Sequence, residues 1–515
     1  MRRAFLNCRM FGRDDEAFII EDGRFTKFGA NAEILADVAP NEETIDLAGM
    51  YVVPGFVDSH MHLLETGYYL RNVQLIGCTS LAQVAKKLQA ACFDSRKWVI
   101  GRGYDDSLYT DGRIDRSFLD EISSEKPIVL RRVCGHESVL NSKALDMMAI
   151  DEETVCEGGT IDLEYGIVRE KAVDLVQSKM PQPDVEEIKD MILEAERYCA
   201  SFGITSVGTD DFLSVTDEYR PVLTAYEQLA YQERLHLHII EQCEFKDAKE
   251  FAVFLDEGYS QGVTHGHFTI GPLKLIADGS LGAHTAALSK PYIGTETTGD
   301  LLYKEEDMRL LVQMANRFNM GVIIHCIGDA ALDQVLAVFG NEMYEGNPLG
   351  DGIVHCQIMR HDQVTKIKKL GLGCYFQSLF IGDDAALVKE VVPEVLQKSA
   401  YPHKTLLEAC SCGNGSDSPV CVPNVLRGIS FAVTRADQSG NTISPEEAMT
   451  VDEAVLSYTE KAASLLGMEE TGKLCEGYHA DFVVLEKDLH EIAPTDLEKC
   501  RVMMTVSEGE TVFER

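Results

Sequence analysis

No stretch of this chain is apolar for long enough to cross a bilayer as a helix. The opening run, MRRAFLNCRMFGRDDEAFII, has two arginines but lacks the continuous apolar core of a secretion signal, because charges interrupt it at once. Positive charge is scarce: 47 Lys and Arg stand against 84 Asp and Glu, a net charge of −37. Nucleic acid and anionic membrane are repelled by such a surface, so neither is an expected partner. The same charge keeps a protein soluble and does not by itself describe a site. No Cys-x-x-Cys pair occurs among the 15 cysteines. An odd, dispersed set in a large chain reads as reduced, buried thiols rather than a disulfide framework. Cys410 and Cys412, the closest pair, read as small core residues on a strand. There is no repeat of fixed period and no low-complexity segment. These absences leave a cytoplasmic, globular protein with a small-molecule partner as the expectation, and a homo-oligomer is possible.

With 515 residues, 45% of them hydrophobic, the chain can bury a large core without staples. Its ends resemble each other in pattern. Residues 1–54 hold short strand-like runs (AFLNCRM, AFIIEDGRFTKFG, TIDLAGMYVVPG), with Asp22-Gly23 as a hairpin signal. Residues 468–515 hold GKLCEGYHADFVVLE and VMMTVSEGETVFER. The two ends together are expected to build a small β-sandwich. Between them, residues 55–467 alternate apolar strand-like runs with helical stretches, as parallel βα units do. Eight candidate strands stand out: MYVVPGFVDSH, GITSVGTD, LHLHIIEQ, FTIGPLKLIAD, GVIIHCIGD, GIVHCQ, LGCYFQ and GNGSD. The expected fold class is therefore α/β, a (β/α)8 TIM barrel. The first two of these strands are much further apart than a βα loop needs. Residues from about 66 to 185 read as an insertion after the first barrel strand, over the barrel mouth, where it could form a lid or substrate wall.

The strongest chemical signal is Pro54-Gly55-Phe56-Val57-Asp58-Ser59-His60-Met61-His62. Residues i and i+2 of a strand point to one side, so His60 and His62 can converge on one borderline-soft cation. The spacing alone is weak: His236-Leu237-His238 and His265-Gly266-His267 share it and read as locally satisfied histidines. Company distinguishes the first pair. Lys274, His325, His355 and Asp417 each sit near the C-terminal end of a strand-like run, and in a parallel barrel those ends meet at one face. Several ionisable groups gathered there are hard to explain as core, since burying them without partners is costly.

The runs PGFVDSHMHL, GRGYDDSLY, KPIVLRRVCGHESVLNSKAL, GITSVGTDD, LKLIADGSLGAHTAAL, VIIHCIGDAALDQVL, GSDSPV and GKLCEGYHADFVVLE occur in an order, and over a breadth, that resembles the amidohydrolase superfamily. Within it, the chain is similar to the YtcJ-like, N-substituted formamide deformylase-like branch. The resemblance implies one or two divalent ions, zinc being the expected metal. His60 and His62 would hold the more buried ion, a carbamylated Lys274 would bridge two ions, and His325 and His355 would hold the second. Asp417 would bind metal and act as general base, with His325 or His355 steadying a developing oxyanion. The residues themselves leave open a plain ion pair of Lys274 with Asp278. Tyr104, Asp105, His136 and Asn141 in the insertion, with Asp278 and Gln377 at strand ends, are candidate substrate contacts. Two departures touch the surroundings of the ligands: Val354 precedes His355 where the family usually has Glu, and Ser378 follows Gln377 where it often has Pro.

Such a site is expected to hydrolyse a non-peptide C–N bond in an amide, N-formyl or cyclic amide, with Asp417 taking the proton of the attacking water. Deamination of an aminated ring would use the same groups. A barrel kept only for binding is a reading of another class, one that loss of ligands would favour. A two-carboxylate sugar hydrolase leaves the histidines unexplained.

Overall fold

The computed structural model describes residues 2–94 and 96–515. Eight parallel strands run in chain order around a nearly closed barrel: β1 (Phe56–Met61), β2 (Ile204–Thr209), β3 (His238–Cys243), β4 (Phe268–Ile276), β5 (Val322–Cys326), β6 (Gly352–His355), β7 (Gly373–Phe376) and β8 (Cys412–Asn414). Every residue of β1, β2, β6, β7 and β8 is buried, as expected for parallel strands covered on both faces. Helices follow the strands, among them Tyr219–Tyr231 after β2, Asp329–Glu342 after β5 and Val425–Thr434 after β8.

The seam between β8 and β1 carries no regular ladder. Backbone bonds from the turn after β8 bridge it instead: the Asp417 N–H donates to the His60 carbonyl at 2.9 Å, and the His62 N–H to the Ser418 carbonyl at 2.8 Å. Asp58 reinforces them, its buried Oδ1 accepting the Ser416 N–H at 2.9 Å. Gly415 lets the chains come this close, since a Cβ there would lie 2.7 Å from backbone atoms of His60.

The long run MYVVPGFVDSH breaks at Gly55. Tyr51–Pro54 pairs with Phe482–Leu485 in a different sheet, and only Phe56 onward enters the barrel. A side chain at Gly55 would meet Thr205 Oγ1 at 2.3 Å, so the chain turns where only glycine fits. Strands from both ends of the chain build two sheets. One orders Arg24–Gly29, Ala17–Glu21, Arg2–Leu6 and Glu43–Asp46; the other orders Arg9–Met10, Tyr51–Pro54, Phe482–Leu485, Val502–Ser507 and Glu510–Glu514. They share one apolar cluster, with Phe5 stacked on Phe18 at 4.9 Å and both rings edge-on to Phe482.

Residues 66–191 form a second compact unit. Its six-stranded sheet orders Gly159–Asp162, Ile167–Glu170, Glu137–Leu140, Ile128–Arg132, Val99–Tyr104 and Val73–Gln74. Helices such as Leu81–Cys92 and Lys171–Lys179 pack on it around two apolar clusters. All 15 cysteines are free thiols. Cys412 lies on β8, whereas Cys410 ends the helix His403–Ala409 and does not share that strand.

Candidate metal centre

Three imidazoles and a carboxylate meet where β1, β6 and the turn after β8 end. Ligand-capable atoms of His60, His355 and Asp417 lie within 4.8 Å of one another, all three residues buried. His62 joins them, its Nε2 3.3 Å from Asp417 Oδ1; the His60 Nε2 is 3.4 Å from the same oxygen. Asp417 Oδ1 is buried yet accepts no hydrogen bond of its own.

The outer nitrogens fix how the rings point. His62 Nδ1 donates to the Asp210 carbonyl at 2.8 Å and His355 Nδ1 to Gln377 Oε1 at 2.9 Å. His60 Nδ1 donates to Gln242 Oε1, an amide whose Nε2 is itself anchored on the Ser59 carbonyl at 3.0 Å. An oxygen that can only accept places the ring proton on Nδ1 and turns each Nε2 lone pair inward. The backbone is bent to allow this. His355 and Asp417 have φ of 79° and 56°, in the left-handed region, where a non-glycine residue costs on the order of 1–3 kcal/mol. Such strain persists where surrounding contacts over-determine it, here the barrel seam and the Gln377 bond.

Electrostatics follow from the crowding. Burial disfavours the charged His60 ring, and Lys274 adds to this, so its pKa falls well below the usual value. Burial likewise depresses His355, to about 4. Burial opposes charge on Asp417 as well, but the neighbouring His62, His355 and His60 hold it below the carboxylate range. For His62, burial is outweighed by Asp417 and Asp210, which push its pKa up to about 10. A proton and a cation thus compete for the same place between His62 and Asp417. Three inward nitrogens and one orphaned carboxylate oxygen form a donor set that suits a borderline-soft divalent ion such as zinc.

The other candidates are placed as follows. Lys274 Nζ is 2.9 Å from Asp210 Oδ2 and 3.4 Å from His60 Nε2, with both charged residues buried. Its ion-pair partner is Asp210, not Asp278. The His325 ring lies edge-on to His355 at 4.3 Å, but its Nε2 faces the Gly279 carbonyl at 3.2 Å. Asp278 is fully buried and accepts three backbone N–H groups, from Ile327, Gly328 and Ala287, at 2.8–3.0 Å. It organises the loop after β4, and burial raises its pKa to about 6. Gln377 orients His355.

Four candidates lie in the 66–191 unit. Asn141 is fully buried, and all its polar valences serve its own turn: Oδ1 accepts from Ile128 and Ala144, and Nδ2 donates to the Ser123 and Lys126 carbonyls. Tyr104 is buried with its hydroxyl 3.2 Å from Glu137. Asp105 pairs with Arg132 at 2.8 Å. His136 is exposed and lies 3.2 Å from Glu170.

Four residues near the centre were not singled out in the sequence. Asp210 follows β2, Gln242 lies in β3, Glu244 follows β3, and Asp58 lies in β1. Burial, with Asp210 beside it, holds Glu244 near a pKa of about 7. Burial raises Asp58 to about 7 as well. For Asp210, Gln242 and Glu244 the position near a strand end was the available signal, shared by too many residues to select them; Asp58 lies inside β1.

The sequence profile of the Amidohydrolase family matches residues 43–513. The chain belongs to this family. YtcJ of Bacillus subtilis (strain 168) is 30% identical over 98% of this chain and 97% of its own length. The N-substituted formamide deformylase of Arthrobacter pascens is 24% identical, covering 97% of this chain and 95% of that one. A crystal structure of an uncharacterized metal-dependent hydrolase from Pyrococcus furiosus matches with a TM-score of 0.80 at 28% identity, over 96% of this chain and all of that one. The amidohydrolase described here is accordingly YtcJ-like, a hydrolase built on a barrel with residues able to bind metal.

Proposed function

We propose that this amidohydrolase cleaves a non-peptide C–N bond in a small amide, N-formyl or cyclic amide, using one or two zinc-class ions at the β1/β6/β8 centre. One observation carries the reading: His60, His355 and Asp417 bring ligand atoms within 4.8 Å of one another, and the Nε2 atoms of His60 and His62 face the Asp417 Oδ1, which is buried with no hydrogen bond to satisfy it. When bound, a zinc ion lowers the pKa of water from 15.7 to about 7 and polarises a carbonyl oxygen. Asp417 takes the proton of the attacking water; a C–O bond forms at the carbonyl carbon as the C–N bond breaks, and Asp417 delivers the proton to the leaving nitrogen. We read His325, edge-on to His355, as steadying the oxygen that gains charge, a role that requires its Nε2 to leave the Gly279 carbonyl it faces. Lys274 serves either as a carbamylated bridge between two ions or as the buried cation balancing Asp210. The name of the Arthrobacter relative, an N-substituted formamide deformylase, supports an N-formyl amine as substrate class. The two terminal sheets are read as one small sandwich, residues 1–54 with 468–515.

The test is metal analysis of purified protein followed by a hydrolysis screen over N-acyl and N-formyl amines. Metal-dependent release of a carboxylate or formate together with an amine is the expected result. Ammonia release from aminated rings alone would transfer the reading to deamination. Turnover that survives complete metal removal would end it.

A further inference from the structure

The chain has three His-x-His pairs, and the metal centre uses only the first. His238 from the second pair and His267 from the third meet elsewhere. His238 opens β3 and His267 immediately precedes β4, so both lie at the N-terminal end of the barrel strands, opposite the end that carries His60. Two C-terminal residues reach them. His479 precedes the strand Phe482–Leu485, and Glu508 sits in the turn between Val502–Ser507 and Glu510–Glu514.

Donor atoms of His238, His479 and Glu508 lie within 4.8 Å of one another. His479 Nδ1 is 3.0 Å from Glu508 Oε1, His238 Nε2 is 3.7 Å from that oxygen, and His267 Nε2 is 3.2 Å from Oε2. The His238 ring is 4.8 Å from that of His267 and 5.4 Å from that of His479. Behind them, Asp481 is 2% exposed. Its Oδ1 accepts the Glu508 N–H at 2.7 Å. Its Oδ2 faces His238 Nε2 at 3.5 Å, and neither atom makes a hydrogen bond. Two orphaned polar atoms aimed at each other inside a ring of imidazoles and carboxylates are costly unless a cation satisfies both. The cluster lines a surface cavity of about 630 Å3, through which an ion can enter.

We propose that His238, His479 and Glu508 form a second, structural site for a zinc-class divalent cation, with His267 holding the other Glu508 oxygen and Asp481 as the carboxylate behind it. Two imidazoles and a carboxylate give three convergent protein donors, and a water completes a four-coordinate zinc-class ion. The ion ties the barrel ends of β3 and β4 to the C-terminal hairpin, a role in stability and not in turnover, as expected for that face of a barrel.

The experiment uses full-length protein carrying His60→Ala, His355→Ala and Asp417→Asn, stripped with chelator and titrated with Co2+. One ion per chain is expected, with the strong visible d–d absorption of four-coordinate cobalt. Adding Glu508→Gln should weaken that binding by about 100-fold or more. Should Glu508→Gln not fold, His238→Gln reads the same loss. In protein with an intact catalytic centre, Glu508→Gln should keep metal-dependent turnover at low temperature, and in the triple variant it should abolish the remaining rise in Tm that zinc gives. Absence of cobalt binding in the triple variant, or binding unchanged by Glu508→Gln and His238→Gln, would overturn the proposal and leave the cluster a metal-free network of imidazoles and carboxylates.

Discussion

Asp417 is held between two histidines with an oxygen that nothing else satisfies, and His60 is turned toward it by an anchored amide. If the cation sits there, His60→Ala or Asp417→Asn should lower turnover on the order of 10^3-fold or more, the equivalent of several kcal/mol of lost charge stabilisation. Circular dichroism should stay unchanged, and activity persisting in both variants would contradict the site. Gln242→Leu removes the acceptor for His60 Nδ1 together with the donor to the Ser59 carbonyl, and leaves every metal ligand in place. It should weaken zinc binding by about 10–100-fold with the ligand still present, measured by competition with a chromophoric chelator. Asp278→Ala acts differently, because it strips the acceptor from three buried N–H groups. A stability loss of about 3 kcal/mol or more in denaturant unfolding is expected, whatever the metal content. His60 and His62 were legible in the sequence because they share one strand and point the same way. Asn141 and Asp278 were legible only as polar residues near candidate loops. That their valences are used up by neighbouring backbone depends on how the chain folds back, which spacing does not encode.

At the level of elements, the seam between β8 and β1 is the unusual feature. It is bridged by three side-chain and backbone bonds through residues 415–418, which also carry Asp417 to His60. Gly415→Ala would place a methyl against His60 backbone atoms and should cost at least the 1–3 kcal/mol typical of overpacking. Metal affinity should fall with it, since the same displacement moves Asp417; a variant stable and metal-loaded like the parent would show that the seam does not position the site. Seven of the eight barrel strands were readable as apolar runs ending in polar residues. The break at Gly55 was passed over although Pro54-Gly55 is a turn dipeptide, because the residues on either side are strand-like; Thr205 and Asp481 approach at that point. The eighth strand was read as GNGSD, but the ladder ends at Asn414, and Asp417 lies beyond it in a left-handed turn.

The whole molecule carries a net charge of −37, and self-repulsion of that size opposes compactness. Raising ionic strength from about 10 to 150 mM shortens the Debye length from about 30 to 8 Å and should raise Tm by about 1–3 °C; a falling Tm would contradict this. Composition argues against nucleic acid and anionic membrane as partners, and the order of runs along the chain disclosed the family. Neither reaches the substrate, which is set by side chains brought together from distant segments. The account rests on four residues of β1, β6 and the β8 turn closing on one ion. Anomalous diffraction at the zinc edge from zinc-reconstituted crystals tests that most directly. The predicted result is a peak about 2.0–2.2 Å from Nε2 of His60, His62 and His355 and from a carboxylate oxygen of Asp417. A fully zinc-loaded protein with no peak among these residues would contradict it.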